Sequence, residues 1–165
     1  MLNIFNKSKG KPGLVGIYFT QKGVSLAHVS YTKNEPELLL CSEFSAESSA
    51  DKEKELVKQI EKLGLQESRA SYILSPSEYK LFLVEAPSVS SGEMESAVKW
   101  KIKDLIDGAV DEMAITVFPV PDDAYRGDTD MVYAVASRKS RIREIVDLVH
   151  NAGLQLDAID IPEMV

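Results

Sequence analysis

The sequence predicts a mixed α/β fold, with a core sheet into which a small strand-helix-strand-strand-helix block is inserted. Three observations predict it. Residues 14–44 read as three short strands joined by tight turns. Three stretches of helical period alternate with further apolar runs broken by proline and glycine. A last apolar strand arrives only after the block. Periodicity carries the elements; the nesting is a topological inference.

The first strand, Leu14–Phe19 (LVGIYF), is apolar on both faces, so helices are expected above and below the meander. Gln21-Lys22-Gly23 closes the first turn, with Gly23 expected at positive φ. In the second strand Val24, Leu26 and His28 point one way and Ala27, Val29 and Tyr31 the other. Lys33-Asn34-Glu35-Pro36 supplies the second turn, and Glu37–Phe44 the third strand. Cys41, inside that strand, has no cysteine to pair with and is expected to be a small core residue.

A helix is predicted over 51–63, with Leu56, Ile60 and Leu63 on one stripe, Val57 widening it and Gly64 as its C-terminal cap. The acidic first turn suits the positive end of its dipole. Strands follow at 70–75 and 79–86, separated by a Pro76-Ser77 turn. Ser90 and Glu93 form a capping-box signature for the next helix, whose core face is Met94, Val98, Ile102, Leu105 and Ile106. Trp100 falls on nearly the opposite side. It is either an anchor for a partner or packed over a neighbouring strand. Strands at 113–120 and 131–137 flank an acidic loop. A helix over 138–152 takes Ser137 as N-cap, Ile142, Ile145, Val146 and Val149 inward, and Gly153 as its stop. Leu156–Ile161 is the last strand. The organisation is a loose leader (1–12), a core (13–75 with 153–165) and an inserted block (76–152).

Composition excludes several classes. A net charge of −7 over 165 residues speaks against nucleic-acid binding and against a basic membrane-surface helix. No apolar run approaches a bilayer span, and MLNIFNKSKGKPG has no apolar secretory region. A soluble cytoplasmic chain is expected. No catalytic constellation is visible. His28 and His150 have no Cys or His at ligand spacing, so no metal is expected; His150 suits the end of a helix dipole. Asp122, Asp123, Asp128 and Asp130 lack the calcium-loop order and read as a solvated loop. Ser75-Pro76-Ser77 reads as a turn. Gly16 and Gly23 make no dinucleotide fingerprint, because no helix follows the first strand.

Three stretches together carry a resemblance: LVGIYFTQKGVSLAHV, ESAVKWKIKDLIDGAVDEMAITVFPV and NAGLQLDAIDIPEM. They resemble the actin-like pilus-biogenesis proteins of the PilM type, most nearly the MSHA pilus branch, whose corresponding segment also reads like AIDIPE. The likeness covers nearly the whole chain but only the first half of such a protein, so a second actin-like domain is expected after Glu163.

The resemblance implies an actin-like, ribonuclease H-like core and a cytoplasmic platform component of a type IV pilus, peripheral at the inner membrane. Its partner would be the extended N-terminal tail of a PilN-like single-pass membrane protein, held in a groove between core and insert by main-chain pairing and side-chain pockets. By placement, the groove candidates are Tyr79, Leu81, Leu83, Trp100 and Lys103. Nucleotide-binding relatives open with a pattern like GIDIGSSSVK. Here Tyr18 stands where the Asp would be and Thr20 where the Gly would be. A phenol cannot organise a magnesium-bound water, and a Cβ at Thr20 hinders backbone approach to a phosphate. No cofactor and no enzymatic activity are expected. Two alternatives stand beside this reading: half of an actin-like ATPase, or a self-associating scaffold of the type II secretion L class with the insert as a homodimer surface.

Overall fold

The computed structural model describes residues 10–32, 35–121, 127 and 129–164. The chain divides into two compact units, the first running to Ser75 and resuming at Glu144, the second Pro76–Arg143.

The first unit is a five-stranded sheet, ordered β3-β2-β1-β4-β8. Its strands are β1 (Leu14–Phe19), β2 (Gly23–Thr32), β3 (Glu35–Ser45), β4 (Arg69–Ile73) and β8 (Gln155–Asp160). β1, β2 and β3 form an antiparallel meander, while β4 runs parallel to β1 and β8 parallel to β4. The last strand thus returns to the opening sheet. Helix α1 (Ser49–Leu63) follows the meander. The Ser48 hydroxyl accepts from Asp51 N–H at its start, and Gly64 caps its end at φ 62°. That cap was legible in the sequence, because a left-handed residue after a helix is cheapest as glycine.

The core of this unit is one face of the sheet. Val15, Ile17, Val24, Leu26 and Tyr72 are buried there, as are Leu56 and Ile60 of α1. The Phe19 and Tyr72 rings meet edge to face at 5.7 Å. His28 joins this face, buried, with Nε2 3.1 Å from the Pro12 carbonyl. The opposite face is only partly buried, less than the apolar first strand suggested: Leu14, Gly16 and Tyr18 are half-buried there. It carries a row in register across all five strands: Cys41, Ala27, Gly16, Ser71 and Ala158. Cys41 is exposed rather than a core residue, because β3 is an edge strand and its partner residue Ala27 points to the open face.

Other local expectations shift. Glu35 and Pro36 belong to β3, where an edge position tolerates the missing proline N–H; Lys33 and Asn34 lie outside the described residues. Gly23 does not adopt positive φ. A Cβ there would lie 1.9 Å from the Phe44 carbonyl oxygen, so close backbone approach is what demands glycine. Gly10–Pro12 is docked rather than loose. Lys11 donates its backbone N–H to Ser68 Oγ and its ammonium to the Leu63 carbonyl. The rest of the leader, 1–9, lies outside the described residues.

The second unit is a three-stranded antiparallel sheet, β5-β7-β6. It comprises β5 (Tyr79–Glu85), β6 (Met113–Pro119) and β7 (Met131–Arg138), with helix α2 (Met94–Ile102) on one face. Val98, Ile102 and Ile106 pack there against Val132, Ala134 and Ala136. Leu105, expected inside, is exposed, because α2 ends at Ile102 and the next residues tighten into a 3-10 turn that rotates the stripe. The Ser90–Glu93 signature forms a 3-10 turn, closed by Glu93 N–H to the Ser90 carbonyl and a Ser90 Oγ to Glu93 Oε2 bond.

The two units divide inside helix α3 (Lys139–Asn151), between Arg143 and Glu144. Its second half therefore belongs to the first unit and not to the inserted block. Ile145, Leu148 and Val149 are buried, and Leu148 and Asn151 lie beside α1. Ser137 is not the N-cap of α3. It is still in β7, and its hydroxyl donates to the Glu78 carbonyl at 2.8 Å. Gly153 ends the helix at φ 78°. No described helix is long and apolar enough to cross a membrane.

Candidate functional site

Residues of β5 alternate between the two faces of the second unit's sheet. Phe82 and Val84 pair with Ala134 and Val132 on the side covered by α2. Tyr79, Leu81 and Leu83 therefore point to the other side. Leu81 and Leu83 are exposed there, at 36% and 47%. Leu83 pairs with Tyr133, and Tyr133 with Phe118, whose rings lie 5.5 Å apart. An apolar row, Leu83–Tyr133–Phe118, thus crosses the open face. Val135 beside Leu81 extends it. β5 is also an edge strand, with β7 as its one strand neighbour among the described residues.

Trp100 and Lys103 lie elsewhere. They belong to α2 and the turn after it, which cover the opposite side of this sheet. Trp100 is 67% exposed, with Lys103 Nζ 5.4 Å from its ring centroid. The structure brings Tyr79, Leu81 and Leu83 onto one surface and Trp100 with Lys103 onto another. The five do not line one wall. Tyr133, Val135 and Phe118 were missed as surface residues. Their signal was available as period-two alternation in β6 and β7, but its outward phase depends on which face α2 covers.

The turn between β1 and β2 is where a nucleotide phosphate would approach by the resemblance. Its polar groups bond within the chain. Thr20 N–H donates to the Gly23 carbonyl, Thr20 Oγ1 accepts from Lys22 N–H and donates to Glu43 Oε1 at 2.8 Å, and the Thr20 carbonyl accepts from Lys52 Nζ. The Thr20 side chain holds a carboxylate against the turn. Among the described residues no group of three or more His, Cys, Asp or Glu is placed to hold a metal ion. Of the acidic loop, Asp122, Asp123 and Asp128 lie outside the described residues.

Two solved structures share this fold. A PilM–PilN type IV pilus biogenesis complex matches over 92% of this chain and 48% of its own, at TM-score 0.75 and 19% identity. The fold is actin-like. The cytoplasmic domain of EpsL, an inner-membrane component of the Vibrio cholerae type II secretion system, matches over 89% of this chain and 56% of its own, at TM-score 0.64 and 16% identity. A Bacteroides thetaiotaomicron protein with an actin-like ATPase fold matches over 96% of this chain and 55% of its own, at TM-score 0.49 and 11% identity. The chain spans about half the length of these neighbours. No protein-family model matches the chain, and no curated protein matches it significantly in sequence.

Proposed function

We propose that this chain is a non-enzymatic scaffold of a type IV pilus assembly platform, of the MSHA-like kind, working at the cytoplasmic face of the inner membrane. It holds the extended N-terminal tail of a PilN-like single-pass membrane protein. The observation that carries the reading is the apolar row Leu83–Tyr133–Phe118 on an open sheet face beside the β5 edge. An extended tail adds to such an edge by main-chain bonds and sets alternate side chains on the apolar face. The likeness to a PilM–PilN complex supports the choice of partner. Of the five placement candidates, Tyr79, Leu81 and Leu83 are assigned to the tail; Trp100 and Lys103 are not.

The reading includes the absence of nucleotide chemistry. Tyr18 and Thr20 replace the acidic and glycine positions of nucleotide-binding relatives, and Glu43 at the turn repels a phosphate. Isothermal titration with Mg-ATP giving a micromolar dissociation constant would overturn this.

The test of the scaffold reading is titration of the partner's N-terminal peptide into the folded chain. Binding that is lost in Leu83→Glu supports it. No binding to folded protein sinks it. Concentration-dependent sedimentation abolished by the same substitution would replace it with self-association through this face.

A further inference from the structure

A cavity of about 590 Å³ opens at the start of β5, within the second unit. Its floor is apolar: Ile106 and Ala136 are buried and Met113 is half-buried. Its charged lining is three cations against two carboxylates, in a chain whose net charge is −7. Two of those cations are engaged. Arg141 pairs with Glu78 at 2.6 Å, both side chains mostly buried, so this pair is a fixed wall. Lys80 pairs with Asp107, whose side chain is 86% exposed; such a pair is weak in water and opens readily. Arg138 is exposed, and among the described residues its side chain makes no hydrogen bond or ion pair. Its charge adds, after the pairing with Lys80, to what holds the Asp107 carboxyl below its ordinary value.

We propose that this cavity binds an apolar side chain with a single carboxylate beside it, supplied by a partner segment. The side chain fills the floor of Ile106, Ala136 and Met113, and the carboxylate takes Arg138 and displaces Asp107 from Lys80. A guanidinium with its fork unused is the group best suited to a carboxylate. The two resident carboxylates leave room for one negative charge, so a phosphate dianion is a poor fit. Neither step requires that β5 grip a membrane-protein tail, so the proposal stands or falls apart from that one.

The experiment is an NMR titration of the folded chain, read on the methyl groups of Met113 and Ile106. Its probes are acetyl-leucine, acetyl-Leu-Glu-amide, acetyl-leucinamide and inorganic phosphate. The two apolar carboxylates are expected to bind at millimolar strength, about fivefold or more tighter than leucinamide or phosphate. Stronger binding of acetyl-Leu-Glu-amide identifies an internal acidic residue as the source, and stronger binding of acetyl-leucine a chain terminus. Arg138→Gln should erase the preference for the charged probes. Asp107→Asn, which removes the competing carboxylate, should tighten both by about threefold. Equal shifts with leucinamide, or no tightening in Asp107→Asn, would overturn the proposal.

Discussion

Each unit is built on a sheet with one covered and one open face, and the two open faces differ in kind. Across the middle of the five-stranded sheet the open face carries a row of small residues, Cys41, Ala27, Gly16, Ser71 and Ala158, flanked by the larger Leu14, Tyr18, Tyr31 and Leu38. Across the three-stranded sheet it carries Leu83, Tyr133 and Phe118. Small residues leave little apolar area in water, so the first arrangement costs little when uncovered. Large half-exposed apolar residues in a contiguous row are what interaction surfaces show. The first unit sets small residues across the middle of its open face and its exposed large ones, Tyr31, Leu38 and Leu39, toward the β2–β3 edge, whereas the second carries large ones through its central strand.

That contrast breaks most visibly in stability. Tyr72 is fully buried in the first unit's core, and Tyr72→Ala is expected to cost about 3–5 kcal/mol in urea unfolding. Leu83→Glu should change stability by no more than about 0.5 kcal/mol, because the side chain is already half in water. Its effect belongs to binding: the affinity for the partner tail should fall by about tenfold or more. Trp100→Ala should leave tail affinity unchanged, since Trp100 lies on the α2 side. If Trp100→Ala weakens the tail as much as Leu83→Glu, the split between the two surfaces is wrong.

Gly23→Ala comes next. The added Cβ would sit 1.9 Å from the Phe44 carbonyl oxygen, so β2 or β3 must shift. A loss of about 1–3 kcal/mol is expected, read by thermal or urea unfolding. A neutral result would mean that the edge strand relaxes freely.

This position also shows what was legible in the sequence. The sequence marked a glycine at the turn, yet the cause it suggested, positive φ, is not the one observed. A backbone torsion is local, whereas the approach of Phe44 depends on β3 pairing, which no local pattern contains. The same division runs through the molecule. Gly64 and the stripe of Leu56 and Ile60 are local and were readable; so was the return of the last strand, through the order of elements. The second face of β1 was not, since apolar residues on both faces do not say which is covered. Cys41 was misplaced for that reason, and the five candidate groove residues were grouped by sequence order although β5 and α2 put them on different sides of one sheet. Leu105 was misread because periodicity assumes that the helix continues, and α2 ends at Ile102.

A smaller effect returns to the comparison through helix capping. Ser48 accepts from Asp51 N–H and donates to Asp51 Oδ2. Ser48→Ala is expected to cost about 1 kcal/mol in the first unit. Ser90 in the second unit makes no such backbone cap, only a side-chain bond to Glu93. Ser90→Ala should therefore cost less than Ser48→Ala by the same unfolding measurement.

The smallest effect separates the units by the origin of their acid sensitivity. In the first, the carboxyl of Asp51 is held below its ordinary value chiefly by the Ser48 hydroxyl, and that of Glu55 by Gln59 and then by the ammonium of Lys58. In the second, Asp107 and Asp111 are held low chiefly by hydrogen bonds from the ammonium groups of Lys80 and Lys99, reinforced by their charge. A depressed carboxyl favours the folded state above its unfolded pKa, and that contribution disappears as pH falls through the lower folded pKa. All four therefore contribute fully at neutral pH and lose their contribution on acidification below about pH 4. Salt distinguishes them, because it screens an exposed charge pair far more than a neutral hydrogen bond. Carboxyl titration by NMR should show Asp107 and Asp111 moving toward their ordinary values as salt rises, while Asp51 moves less. Equal movement of Asp51 with Asp107 and Asp111 would mean that general charge, and not the chemistry of each partner, sets these values.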